Sequence, residues 1–206
     1  SLIFKIEINT KLINMKIIKD YYLIKVEKTH EDTVIVDGKE LYMDTSYSDM
    51  EYARQYGTVL EVPNSLSFGM KLDIKKGDKV YCHHFLISEE NRLKYHEEDN
   101  VFKIRWDQIY CRVRKGKLKM LHHWNFVEQK KESKESYVTT SGIYIKPERE
   151  DEESYGYIEY MNKEMKSYGV EKGDEVIFSE NSEYKMEIEG RKLLRMRNLD
   201  ILAKID

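Results

Sequence analysis

Two adjacent histidine pairs, His83-His84 and His122-His123, and two cysteines, Cys82 and Cys111, are the residues of this chain best suited to metal or nucleophilic chemistry. Their spacing argues against both. No Cys-x-x-Cys or His-x-x-x-His accompanies them. Adjacent residues of a strand point to opposite faces, so each histidine pair offers at most one ligand to a site. The histidines therefore read as structural or surface residues. The cysteines read as small core residues of predicted strands in a reducing compartment, with a disulfide or metal pair as the alternative. Neither a Ser/His/Asp or Cys/His constellation at recognisable spacing nor a Gly-x-Gly-x-x-Gly after a strand is present. The expectation is a non-enzymatic chain with no catalytic residue, metal ligand or cofactor.

The chemistry that remains is apolar recognition. Two polar stretches, Thr29 to Gln55 and Lys130 to Ser154, each carry a glycine followed by an apolar cluster: Leu41-Tyr42-Met43 after Gly38, and Ile143-Tyr144-Ile145 after Gly142. Loops of about 20–25 residues in a compact domain are usually functional or disordered. Such a cluster is either a short core strand or a handle for a partner's groove, with the loop ordering on contact. The acidic run from Glu148 to Glu153 closes the second stretch and reads as a solvated segment.

The elements that must position these clusters recur. Ile74-Lys75-Lys76-Gly77-Asp78-Lys79-Val80-Tyr81 is echoed by Val170-Glu171-Lys172-Gly173-Asp174-Glu175-Val176-Ile177, about 96 residues on. Gln108-Ile109-Tyr110-Cys111-Arg112-Val113 stands where Asp200-Ile201-Leu202-Ala203-Lys204-Ile205 closes the second copy, and Tyr56-Gly57-Thr58-Val59 matches Tyr155-Gly156-Tyr157-Ile158. In each Lys-Gly-Asp the glycine suits a positive-φ turn position and the aspartate can bond the turn backbone. Short alternating strands, turn residues between them and no long 3.6-residue period predict an all-β chain of two tandem small Greek-key β-barrels. The boundaries expected are an N-terminal extension over 1–14, a first barrel over 15–116 and a second over 117–206. The extension alternates like an edge strand, and an added leader is the other reading; it has neither a secretory nor an organelle-targeting pattern.

Charged residues make up 35 % of the chain, yet the net charge is only -3. Nucleic acid needs a concentrated basic face, so it is not an expected partner. No apolar run approaches the ~20 residues of a membrane span.

In these motifs the chain resembles the GroES-like co-chaperonin family. The resemblance rests on Val170 to Phe178, Asp200-Ile201-Leu202-Ala203, Tyr155-Gly156-Tyr157-Ile158 and Ser141-Gly142-Ile143-Tyr144-Ile145. In the first copy it rests on Met15-Lys16-Ile17 with the strand to Val26, Tyr56 to Leu60 and Asp73 to Val80. It runs from Met15 to Asp206. It implies β-barrels, a homo-oligomeric ring, a cytoplasmic location and a chaperonin ring as partner. It also implies chaperonin contact through Leu41, Tyr42, Met43, Ile143, Tyr144 and Ile145. The chain departs from the family's pattern in three respects. It has two domains, as in the tandem plastid form. The roof hairpin is short (Pro63 to Leu72, Met161 to Gly169), a region where bacteriophage members also diverge. Tyrosine sits at the centre of each tripeptide. The expected function is a co-chaperonin lid; the alternatives are a ring-assembly β-barrel protein, viral in origin, that no longer binds chaperonin, and an orphan metal-dependent enzyme.

Overall fold

The computed structural model describes residues 16–27, 33–36, 39–42, 55–94, 96, 100–129, 137–138, 144–145, 154–179, 182 and 184–205. The chain divides into two compact units, Ser1–Ile109 and Tyr110–Asp206. Its strands are β1 (Tyr21–Lys25), β2 (Thr33–Val36), β3 (Lys39–Tyr42), β4 (Tyr56–Glu61), β5 (Lys79–Cys82), β6 (Val101–Arg105), β7 (Ile109–Arg114) and β8 (Lys117–Met120). They continue with β9 (Trp124–Gln129), β10 (Tyr137–Val138), β11 (Tyr144–Ile145), β12 (Tyr155–Tyr160), β13 (Glu175–Phe178), β14 (Tyr184–Ile188), β15 (Arg191–Arg197) and β16 (Ile201–Ile205). One five-residue helix, α1 (Lys163–Ser167), is the only α-helix among the described residues.

Two six-stranded antiparallel sheets result, ordered β6-β1-β4-β5-β7-β8 and β14-β15-β9-β12-β13-β16. The fold is all-β. Position by position the orders run together: β15, β9, β12, β13 and β16 take the places of β6, β1, β4, β5 and β7. The alternation seen in sequence is the alternation of burial. In β12, Gly156 and Ile158 face inward while Tyr157 faces out. Val127, Ile158, Val176, Phe178, Leu194 and Met196 form a core that α1 closes with Met165. In the first sheet Leu23, Ile24, Val59, Val80 and Ile104 are buried in the same way.

Both Lys-Gly-Asp turns have one geometry. Gly77 (φ 83°) and Gly173 (φ 92°) occupy the left-handed region where a Cβ is costly. Each glycine N–H donates at 2.8 Å to the strand alongside, at Val59 and Ile158 respectively. The Asp78 carboxylate accepts from Lys75 N–H, and that of Asp174 from Glu171 N–H, each at 2.8 Å.

The histidines do not sit in strands as the sequence reading assumes. The chain leaves β5 at Cys82, and His83 caps a 3₁₀ turn over His84–Ile87, its Nδ1 accepting from Phe85 N–H at 3.3 Å. The two rings therefore lie 4.0 Å apart instead of on opposite faces. His122 and His123 fall in the turn before β9. Cys82 and Cys111 are buried thiols in β5 and β7.

Candidate functional site

Each sheet sends out a long connection between corresponding strands, β1 to β4 and β9 to β12. The return of each connection is pinned the same way. Cys82 N–H donates to the Gln55 carbonyl at 2.7 Å, and Phe178 N–H donates to the Ser154 carbonyl at 2.8 Å. Immediately after comes a glycine at a point of close strand approach. A Cβ on Gly57 would meet Ile24 Cγ2 at 2.4 Å, and one on Gly156 would meet the Glu128 carbonyl oxygen at 2.4 Å. The Tyr-Gly pair thus fixes where each loop re-enters its sheet.

Within the connections lie two further two-stranded sheets, β2-β3 and β10-β11, separate from the six-stranded ones. Leu41 and Tyr42 belong to β3, in register with Val34 and Thr33. Tyr144 and Ile145 belong to β11, in register with Val138 and Tyr137. Met43 and Ile143 lie outside the described residues, as do residues 1–15, Gly38, Gly142 and the 148–153 acidic run. The sequence reading treats both connections as polar loops, with a short core strand as the alternative for each apolar cluster, and does not foresee the paired hairpins. The first had a signal: Asp37-Gly38 follows the β-branched run Thr33-Val34-Ile35-Val36, which is the chemistry of a tight hairpin turn.

At the other side of the second sheet, three asparagines from distant positions meet at the start of α1. Asn162 Oδ1 accepts from Glu164 and Met165 N–H at 2.9 and 3.1 Å, capping the helix. Its Nδ2 donates to Asn198 Oδ1 at 2.6 Å and to Asn125 Oδ1 at 3.2 Å, while Asn125 Nδ2 donates to Asn198 Oδ1 at 2.8 Å. This stands where the sequence shows a shortened roof hairpin.

Nearby, the nearly buried Glu159 carboxylate takes Lys172 Nζ and Arg191 NH1, each at 2.6 Å. Burial pushes this carboxyl up, but the hydrogen bonds and charges of Lys172 and Arg191 outweigh it and hold the group below its ordinary value. Two cations thus neutralise the one carboxylate. Among the described residues no group of three or more His, Cys, Asp or Glu is placed to hold a metal ion. No helix among them is long and apolar enough to cross a membrane.

Residues 117–205 match the family model of the chaperonin 10 Kd subunit, Cpn10. The match spans most of the second unit and less than half of the chain. The match runs from β8 through β16 and includes the connection that carries Ile143-Tyr144-Ile145. No curated protein matches the chain. Cpn10 proteins are non-enzymatic co-chaperonins that work with chaperonin rings. The matched residues hold the second sheet, and the first sheet follows its strand order.

Proposed function

We propose that this chain is a co-chaperonin of two Cpn10-like units that caps a chaperonin ring and encloses a folding chamber, working in the cytoplasm. The observation that carries the proposal is the Cpn10 match over 117–205, which contains a glycine followed by an apolar tripeptide in its long connection. The contact residues are Ile143, Tyr144 and Ile145, with Leu41, Tyr42 and Met43 as the counterparts in the first connection. Each aliphatic side chain buried in a groove contributes roughly 1.5–3 kcal/mol. One tripeptide is therefore a weak ligand. Several held on one assembly bind together by avidity, with gains of about 10²–10⁴ over a single site. That suits a lid that must also leave. The chaperonin partner, not this chain, supplies ATP hydrolysis.

The test is nucleotide-dependent co-sedimentation with a chaperonin. Wild-type chain pellets with the ring when nucleotide is present, and Ile143→Ser or Ile145→Ser releases it. Unchanged pelleting in both variants rejects the role of the tripeptide. A chain that assembles but never pellets is the ring-assembly protein without a chaperonin.

A further inference from the structure

β7 and β8 form a two-stranded ribbon joined at Lys115 (φ 51°) and Gly116 (φ 71°), the left-handed pair that suits a two-residue hairpin turn. From Arg112 to Lys119 the ribbon holds five cations and no acid: Arg112, Arg114, Lys115, Lys117 and Lys119. The whole chain carries -3, and its other residues, 30 cations against 38 acids, carry -8. A concentrated basic element thus stands on an otherwise acidic protein.

The register sorts these residues onto two faces. Cys111 stands opposite Met120 and Val113 opposite Leu118; Cys111 and Met120 are buried and the other two half-buried. Arg112 stands opposite Lys119 and Arg114 opposite Lys117, and these four share the other face because side chains alternate along a strand. Lys115 and Lys117 are exposed, Arg114 and Lys119 partly so. Arg112 is nearly buried, its guanidinium donating diagonally across the ribbon to the Lys117 carbonyl at 3.5 Å.

Like charges directly opposite one another weaken a ladder, so the fold gains nothing from these two pairs. The second copy does without them. β16, in the place of β7, carries one cation, Lys204, and it is bonded to Asp174 at 2.9 Å. Lysines on an edge strand can serve simply to keep it from pairing. That role would account for Lys117 and Lys119. It does not account for Arg112 and Arg114, which lie on β7, an interior strand of the sheet.

β8 is the last strand of its sheet, and among the described residues no strand lies beyond it. Leu121 N–H donates to the Tyr110 carbonyl at 2.9 Å, toward β7. Along an antiparallel pair such bonds recur at every second residue, so the main chains of Lys117 and Lys119 also turn toward β7. Those of Leu118 and Met120 turn outward. The open edge therefore offers N–H and C=O groups flanked alternately by a cation and an apolar side chain.

We propose that β8 takes up an extended acidic segment of a partner protein as an added strand. The segment's main chain pairs with Leu118 and Met120. Its carboxylates lie beside Lys117 and Lys119, and its alternate apolar residues lie beside Leu118 and Met120. Strand addition supplies main-chain hydrogen bonds, and the alternate side chains set the specificity. A nucleic acid is the poorer fit: from Arg112 to Lys119 the ribbon has no aromatic ring to stack a base and no amide or hydroxyl to read one.

Fluorescence anisotropy of a labelled peptide of four Glu-Val repeats, titrated with the full chain, tests this. The peptide binds at about 0.01 M salt and is released toward 1 M, as the screening length falls from about 30 to 3 Å. Lys117→Glu combined with Lys119→Glu weakens binding about tenfold. The variant nevertheless melts no lower than wild type, because each glutamate now faces an arginine. Should it melt lower, Lys117→Gln with Lys119→Gln replaces it and weakens binding likewise. The same peptide methylated on its main-chain nitrogens does not bind. No binding of the plain peptide at low salt, equal binding to the variant, or equal binding of the methylated peptide overturns the proposal. So does a single-stranded oligonucleotide that binds where the peptide does not. None of these residues belongs to the long connections, so peptide binding and chaperonin binding are lost separately.

Discussion

Gly156→Ala is the sharpest test of the idea that the Tyr-Gly pair sets strand approach where the loop re-enters. The added Cβ would lie 2.4 Å from the Glu128 carbonyl oxygen, 2.9 Å from Val127 Cγ1 and 3.2 Å from Gln129 Cα. Ordinary carbon–oxygen contact is about 3.3 Å, so the methyl intrudes by roughly 1 Å, and on backbone, not on a movable side chain. Either β12 and β9 part locally, breaking the register in which Gly156 faces Gln129, or β12 twists out of plane. Overpacking of this sort costs typically 1–3 kcal/mol, and rigid backbone on the far side puts Gly156 near the upper end. Reduced freedom of the unfolded chain returns about 0.4–1 kcal/mol. The net expectation is a loss of about 2 kcal/mol. For a unit of ~100 residues that lowers Tm by about 8–16 °C. The assay is thermal unfolding followed by Trp124 fluorescence in a Trp106→Phe background, which leaves a single reporter in the second unit. Melting within about 2 °C of the parent would refute the argument. Gly57→Ala, whose Cβ would meet Ile24 Cγ2 at 2.4 Å and the Lys25 carbonyl oxygen at 2.6 Å, should behave alike when followed by circular dichroism.

Asn162→Ala removes the α1 cap and leaves the amide oxygens of Asn125 and Asn198 short of a donor. A lost cap costs about 0.5–2 kcal/mol and a lost hydrogen bond about 0.5–1.5, while Asn125 Oδ1 keeps the Asn162 N–H and Asn198 Oδ1 keeps Asn125 Nδ2, so urea unfolding should show a loss of about 1–3 kcal/mol. Asn162→Ser, which keeps a capping oxygen, should recover part of it. Glu159→Gln should cost about 1–2 kcal/mol at pH 7, the low end of hydrogen bonds to a charged group because Lys172 and Arg191 are largely solvated. Because the folded Glu159 pKa is depressed, its contribution is fully present above the unfolded value. It is lost as pH falls through the folded one. The gap between wild type and variant should therefore close progressively below about pH 5. A gap that stays constant down to pH 2 would contradict the assignment.

Much of the architecture was legible because its signals are local. Lys76-Gly77-Asp78 and Lys172-Gly173-Asp174 announce tight turns through a glycine that tolerates positive φ and an aspartate that bonds back three residues, and both turns form that way. After the second turn, buried and more exposed residues alternate along β13, whereas Val80, Tyr81 and Cys82 of β5 are all buried. The hairpins at β2-β3 and β10-β11 were harder to see: neither stretch alternates apolar with polar residues, and the Asp37-Gly38 turn signal went unweighed. The histidine pairs were misplaced because a strand ending at Cys82 and a 3₁₀ turn starting at His84 cannot be distinguished by composition alone.

The residues by themselves determined the main strands that flank the Lys-Gly-Asp turns, the turns, the recurrence of these motifs and the resemblance to Cpn10, because each signal lives in a contiguous window. Only the folded chain decided that Asn125, Asn162 and Asn198 share hydrogen bonds, since they come from β9, the α1 cap and the turn before β16. It alone decided that Tyr110 is covered while Leu202 is bare. Burial at a sheet edge depends on which strand lies next to it, and no window of sequence around Leu202 contains that neighbour.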